Sequence, residues 1–158
     1  MHYSVLKEEL LEGLNIQDGK IFVDATIGYA GDSKEILKQI PNGFLYGFDQ
    51  DKKAVEYSTS ALTKIGNNFK IFNTNFVNMD ETFEKIGIKE VDGIIFDLGF
   101  SSPQIDDEKR GFSFMHDGPL DMRMSSEGKS AKDIIDTYSE NELAEIFFKY
   151  GEEKLSKV

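Results

Sequence analysis

Short apolar runs alternate along the chain with stretches whose apolar residues recur every three or four positions. That alternation predicts βαβ units around a parallel sheet. Ser4 to Leu14 reads as an amphipathic helix, with Leu6, Leu10 and Leu14 on one face. Ile21-Phe22-Val23 reads as a buried strand ending at Asp24. A glycine turn follows, Gly28-Tyr29-Ala30-Gly31-Asp32, and Ser33 is the expected cap of a helix with Ile36, Leu37 and Ile40 inward. Phe44 to Phe48 is the second strand, ending at Asp49. Asp51 to Ile65 is predicted helical, with Ala54, Ala61, Leu62 and Ile65 facing the core. Phe69 to Phe72 is a third strand, Met79 to Ile86 a short helix closed by Gly87, and Val91 to Phe96 a fourth strand ending at Asp97.

Beyond Gly99 the periodicity stops. Ser101 to Met124 reads as one long loop, a feature uncommon unless it serves a function. Two helices are expected after it. One begins at Ser130-Ala131-Lys132-Asp133. The other opens with the capping box Ser139-Glu140-Asn141-Glu142, presents Leu143, Ile146, Phe147 and Tyr150, and stops at Gly151. The pattern as a whole predicts an α/β fold with a doubly wound parallel sheet.

Composition narrows the function. The 158 residues contain no cysteine, which removes disulfides, thiolate metal sites and cysteine nucleophiles. The apolar runs are short and the N-terminus lacks the basic and apolar regions of a signal peptide, so the expected compartment is the cytoplasm. The net charge of −11 argues against a nucleic-acid partner, because phosphate binding relies on Lys and Arg. It does not describe any one face of the molecule.

Ligands of open parallel sheets bind beyond the carboxyl ends of the strands. Three features meet at that edge. The Gly28-x-x-Gly31 turn lets backbone approach a ligand closely. Asp49 lies 21 residues after Gly28, where a carboxylate accepts both hydroxyls of a ribose; its plainer use is to cap the next helix. Asp97 precedes a glycine and a polar turn. Together they suggest an adenosine-containing ligand. Asp24, Asp32, Asp49 and Asp97 make this edge acidic, which disfavours a pyrophosphate: two like charges ~4 Å apart at an effective dielectric of ~20 cost about 4 kcal/mol. S-adenosylmethionine, with a sulfonium and an α-ammonium, suits it better.

Several longer runs resemble one family. They are His2-Tyr3-Ser4-Val5-Leu6, Val23-Asp24-Ala25-Thr26-Ile27-Gly28, Gly47-Phe48-Asp49-Gln50-Asp51 and, most specifically, the segment from Asp92 to Gln104 that contains Phe96-Asp97-Leu98-Gly99-Phe100-Ser101-Ser102-Pro103. Arg110-Gly111-Phe112-Ser113-Phe114, the run from Asp117 to Met124, and Tyr150-Gly151-Glu152-Glu153 continue it. On these residues the chain resembles the bacterial 16S rRNA (cytosine-N4) methyltransferases. The resemblance implies a class I, Rossmann-like methyltransferase fold with a helical insert after the fourth strand. It implies methyl transfer from S-adenosyl-L-methionine to the N4 of a cytosine in small-subunit rRNA.

Carried over position by position, the resemblance places cofactor contacts on Ala30, Gly31, Asp32, Asp49, Phe76, Asp97 and Gln104. Asp97, or a backbone carbonyl just after it, is the candidate acceptor of the N4 proton; its alternative use is to orient the cofactor or cap the loop. Phe100, Phe112 and Phe114 are candidates to stack on an extruded base or to anchor the loop. Arg110 and Arg123 are candidates for phosphate contacts or for salt bridges to Asp106, Asp107 or Asp121. No metal site is expected. The family's glycine loop typically reads Gly-Gly-His where this chain has Ala30-Gly31-Asp32. The resemblance also divides the chain at residues 1–105, the cofactor-binding part, and 106–158, the first part of the insert. The pattern stops at Ser156-Lys157-Val158, inside that insert, so the sequence reads as a truncated form with reduced or no activity. A non-catalytic S-adenosylmethionine-binding or protein-interaction module, and a methyltransferase for a small molecule or protein, are the competing readings.

Overall fold

The computed structural model describes residues 6–125 and 127–157. The predicted helix start at Ser4, the motif residues before Leu6 and the terminal Val158 lie outside them. Contacts divide the chain into two units. The first runs to Ser102 and takes in Met124 and Ser125; the second holds Pro103–Arg123 and resumes at Glu127.

In the first unit the elements run α1 (Lys7–Leu14), β1 (Ile21–Asp24), α2 (Gly31–Gln39), β2 (Phe44–Asp49), α3 (Lys52–Thr63), β3 (Phe69–Asn73), a 3₁₀ turn at Phe76–Asn78, α4 (Met79–Ile86) and β4 (Gly93–Ile95). The four strands form one parallel sheet in the order β3-β2-β1-β4. The chain reverses its direction of growth between β1 and β4, which makes that gap the switch point where open α/β sheets bind ligands.

Alternate strand residues feed two cores, as a two-residue period requires. On one face Phe22, Leu45 and Ile95 meet Ile36, Leu37 and Ile40 near the end of α2 and Leu62 of α3, with Leu10, Leu11 and Leu14 of α1 at the margin. On the other face Val23, Tyr46 and Phe48 meet Met79 and Phe83 of α4. Large rings fill this thinner layer: Phe83 stands edge-on to Tyr46 and Phe48 at centroid distances of 5.2 and 5.6 Å. Each fully buried Phe or Leu of these layers contributes about 1.5–3 kcal/mol relative to exposure. Gly47 is required here. A Cβ at that position would lie 2.5 Å from Ile27 Cδ1, so the glycine lets Ile27 seat beneath the turn that follows β1.

Some local expectations need correction. Ser33 does not cap α2. The helix begins two residues earlier at Gly31, its cap position is Ala30 in a left-handed conformation (φ 59°), and Ser33 is buried inside the first turn. Asp32 therefore belongs to the helix and not to the loop. The fourth strand is three residues long, and Phe96 and Asp97 lie beyond it, exposed. Among the described strands β4 is paired on one side only, through β1. Ile94, Phe96, Leu98 and Phe100 are all exposed there.

The stretch from Ser101 to Met124 is not one long loop: it holds α5 (Ser102–Asp106) and a 3₁₀ turn at Glu108–Arg110. The two expected helices follow in the second unit as α6 (Ala131–Thr137) and α7 (Glu140–Gly151). Both later helices start with complete capping boxes, Ser130 with Asp133 and Ser139 with Glu142. Arg123 is bridged to Asp121, with Nη2 donating to Oδ2 at 2.6 Å, and Arg110 Nη2 donates to the Arg123 carbonyl at 2.9 Å. Arg123 thus serves the loop's own structure. Ala144 is the buried residue of α7, whereas the expected inward residues Phe147 and Tyr150 are exposed. Phe114, at 98% exposure, anchors nothing within its unit.

Candidate functional site

The turn after β1 is stitched to strands on both sides. Ala25 N donates to the Ile95 carbonyl of β4 at 3.0 Å, and Ile27 N to the Phe48 carbonyl of β2 at 3.0 Å. Asp97 N donates to Thr26 Oγ1 at 2.7 Å. Gly28 N donates to Asp49 Oδ2 at 2.9 Å. Gly28 and Ala30 both sit at positive φ, and Ala30 N closes the turn on the Ile27 carbonyl at 2.8 Å. The left-handed conformation carries a cost of roughly 1–2 kcal/mol for a residue with a Cβ such as Ala30. The turn delivers the chain into α2, and no side chain caps that helix among the described residues. The first amides of α2 thus face the carboxyl edge of the sheet, an orientation suited to hydrogen-bond acceptors.

Three carboxyls cluster around this turn. Asp24, at the tip of β1, is 3% exposed. Its Oδ2 accepts from Ser33 Oγ at 2.6 Å and its Oδ1 from Thr26 N at 3.2 Å. Burial pushes its carboxyl up to about 7, against those two hydrogen bonds and with repulsion from Asp32 and Asp49 adding to the rise. Asp49, at the tip of β2, is also pushed up by burial, while the Asp51 and Gly28 amides pull the other way. It does not cap α3. Asp51 does, accepting from Lys53 N at 3.0 Å. Asp49 Oδ1 and Oδ2 each accept one backbone N–H, from Asp51 and Gly28. A carboxylate has about four lone-pair sites, so about two remain for a ligand.

Asp32 is 9% exposed, and its Oδ1 is buried without a hydrogen-bond partner among the described residues. Burial raises its carboxyl, Lys7 opposes the rise, and Asp97 and Glu35 add to it. Lys7 reaches this point from α1, with Nζ 3.4 Å from the Gly31 carbonyl and 3.7 Å from Glu35 Oε1. An orphaned carboxylate oxygen is costly in a protein interior, and a cationic ligand group would satisfy it.

Of the sequence-predicted site residues, Ala30, Gly31, Asp32 and Asp49 converge on this turn. Asp97 stands past β4, close enough to Asp32 to repel it, with its side chain exposed. Phe76 lies in the 3₁₀ turn after β3. It packs against the α4-side core and meets Phe96 edge-on, centroids 5.4 Å apart. Gln104 stands on α5 of the second unit, where it is buried. Sequence reasoning missed Thr26, Ser33 and Lys7 as partners of the acids. The Asp-x-Thr spacing of Asp24 and Thr26 was a legible signal, since a strand-end carboxylate commonly accepts the amide two residues on. Among the described residues no group of His, Asp or Glu side chains is arranged to hold a metal ion.

The fold resembles solved structures at low identity. An rRNA methylase from Streptococcus thermophilus superposes with a TM-score of 0.50 at 23% identity, covering 63% of this chain and 57% of its own. A protein from Clostridium thermocellum provisionally described as an rRNA methylase gives a TM-score of 0.54 at 24% identity, over 63% of this chain and 54% of that one. Sequence relatives are much closer. Ribosomal RNA small subunit methyltransferase H of Spiroplasma kunkelii is 48% identical over 159 residues, covering 99% of this chain and 51% of the relative. The protein of the same name from Mesoplasma florum is 49% identical over 158 residues, with the same two coverages. The chain spans about half the length of the curated relatives it matches. The family match itself extends over residues 1–158, and on that evidence the chain belongs to the MraW methylase family.

Proposed function

We propose that this chain carries the S-adenosyl-L-methionine-binding part of a cytoplasmic methyltransferase that acts on the N4 of a cytosine in small-subunit (16S) ribosomal RNA. One observation carries the cofactor assignment: the buried Oδ1 of Asp32, without a hydrogen-bond partner among the described residues and set among Asp24 and Asp49 at the switch point of a parallel sheet. Excess buried negative charge asks for a cation, and the left-handed turn before α2 lets backbone run close to a ligand. The RNA assignment is supported by the relatives named ribosomal RNA small subunit methyltransferase H. No helix among the described residues is long and apolar enough to cross a membrane.

When bound, S-adenosylmethionine supplies an electrophilic methyl group on a sulfonium. The chain's own residues then have separable tasks. Asp49 accepts from the ribose diol with the lone pairs its two amide donors leave over. Asp32 takes the ammonium, with Gly31 and Ala30 supplying close-running backbone. Phe76 packs beside the adenine, and Gln104 binds the polar tail. Asp97, held by Thr26 through its backbone, accepts the N4 hydrogen as the nitrogen attacks. Holding the two reactants in line supplies roughly 7–11 kcal/mol of the barrier reduction. Residues 1–105 serve the cofactor, and 106–158 form the loop and first helices of a helical insert.

The test is single-turnover methylation of small ribosomal subunits by the full-length protein and its Asp97→Ala variant, with cofactor affinity measured in parallel. A rate loss at unchanged cofactor affinity supports Asp97 as the acceptor. Equal rates remove it from the chemistry, and the absence of any cofactor binding by the wild type removes the reading as a whole.

A further inference from the structure

Asp24 is more enclosed than the other acids of the carboxyl edge, and the reading above gives it no task. Its two oxygens hold the two segments that shape the site: Thr26 N in the turn after β1 and Ser33 Oγ in the first turn of α2. Ser33 is the immediate neighbour of Asp32. Resting on the proposed function, we propose that Asp24 is a positioning residue of the cofactor site, and that its carboxyl releases a proton to solvent when a cationic ligand settles at this edge.

The groups around Asp24 leave little alternative. Asp32 and Ser33 of α2 and Asp49 of β2 face it, and both carboxyls repel its charge. Asp32 in turn faces Asp97 past β4, Glu35 of α2 and Lys7 of α1. Among the described residues Lys7 is the cation that reaches this group, and it acts on Asp32. Three buried or half-buried carboxyls therefore share too little positive charge. The cheapest remedy before a ligand arrives is to keep a proton on the most enclosed of them, and the carboxyl of Asp24 is held near neutrality by burial. A ligand carrying an ammonium and a sulfonium supplies the missing charge. The Asp24 O–H bond then breaks and the proton passes to buffer, so that a ligand cation replaces a proton. The ionised carboxylate accepts from Ser33 Oγ more strongly than the acid does. That tightens the first turn of α2 against β1 and fixes Asp32 for the ligand.

Calorimetric titration of S-adenosylmethionine into the full-length protein, at about pH 6.5 in buffers of different ionisation enthalpy, counts the protons exchanged. We expect a net release of up to about one proton per ligand bound. In Asp24→Asn the release disappears while binding persists. Neutral 5′-methylthioadenosine binds the wild type without release. Should the variant fail to fold, release that persists in Asp32→Asn and Asp49→Asn, each still binding S-adenosylmethionine, assigns the proton to Asp24, and its loss in either overturns the proposal. Binding of S-adenosylmethionine without release overturns the proposal but leaves the proposed function standing, and equal release from Asp24→Asn does the same. Absence of S-adenosylmethionine binding overturns both.

Discussion

Asp24→Asn removes a titration while nearly preserving the shape of a buried side chain. In the native protein the carboxyl is pushed from its ordinary 3.8 up to about 7. Below an unfolded value near 4 both states carry the proton, and Asp24 contributes its full stability. As pH rises from there towards about 7, only the native state keeps the proton, ionisation favours the unfolded chain, and that contribution is progressively lost. At about 1.4 kcal/mol per unit the loss reaches about 4 kcal/mol. An Asn side chain in the same place accepts from Thr26 N, pairs with Ser33 Oγ and does not titrate. The variant should therefore match the wild type near pH 4 and exceed it by up to about 4 kcal/mol by about pH 8. Urea unfolding followed by circular dichroism across that range measures the difference, in which groups that do not interact with Asp24 cancel. Parallel pH profiles would refute the claim that Asp24 is held protonated by its surroundings.

Other expectations follow from the same geometry. Asp49→Ala should weaken S-adenosylmethionine binding by about 10–100-fold, the range for one lost charge-assisted hydrogen bond, and unaltered affinity by calorimetry rejects the ribose assignment. Gly47→Ala pushes a Cβ against Ile27 Cδ1 and should cost about 1–3 kcal/mol by denaturant unfolding; a cost within error would mean that Ile27 rotates away freely. Ser139→Ala opens the capping box of α7 and should lower stability by about 1 kcal/mol, read as a lower melting midpoint. Phe114→Ala, at an almost fully exposed ring, should leave stability unchanged within about 0.5 kcal/mol. If the ring stacks on RNA, the same variant weakens RNA affinity by about 1–3 kcal/mol in a filter-binding titration.

The elements closest to their sequence reading are those whose pattern and punctuation agree. β1 and β2 are apolar runs that each end on an aspartate, and Met79–Ile86 is closed by a left-handed Gly87. The misreadings arise where one residue type serves two ends. Ser33 looked like a cap because serine commonly is one, but the left-handed Ala30 starts α2 early and leaves the hydroxyl buried against Asp24. The apolar run from Val91 to Phe96 looked like a full strand, yet pairing to β1 extends only from Gly93 to Ile95. Phe147 and Tyr150 keep helical spacing, but the single buried position of α7 is the small Ala144. Spacing picked out the acids that gather at the carboxyl edge; their mutual repulsion, and an Asp32 oxygen without a partner among the described residues, arise from the approach of α2 to the strand tips, which no local pattern encodes.

The sheet order also ranks how firmly different parts of the edge are held. Among the described strands, β1 and β2 have neighbours on both sides, whereas β4 is a short strand bonded on one side. Amide hydrogens of β1 and β2 should consequently exchange with deuterium only through near-global opening, while those around Ile95 and Asp97 exchange through cheap local fraying. Asp24 and Asp49 stand on the slow-exchanging pair, and Asp97 at the fast-exchanging margin. The part of the edge that carries the clustered Asp24 and Asp49 is therefore the rigid part, and the margin beside β4 is the compliant one.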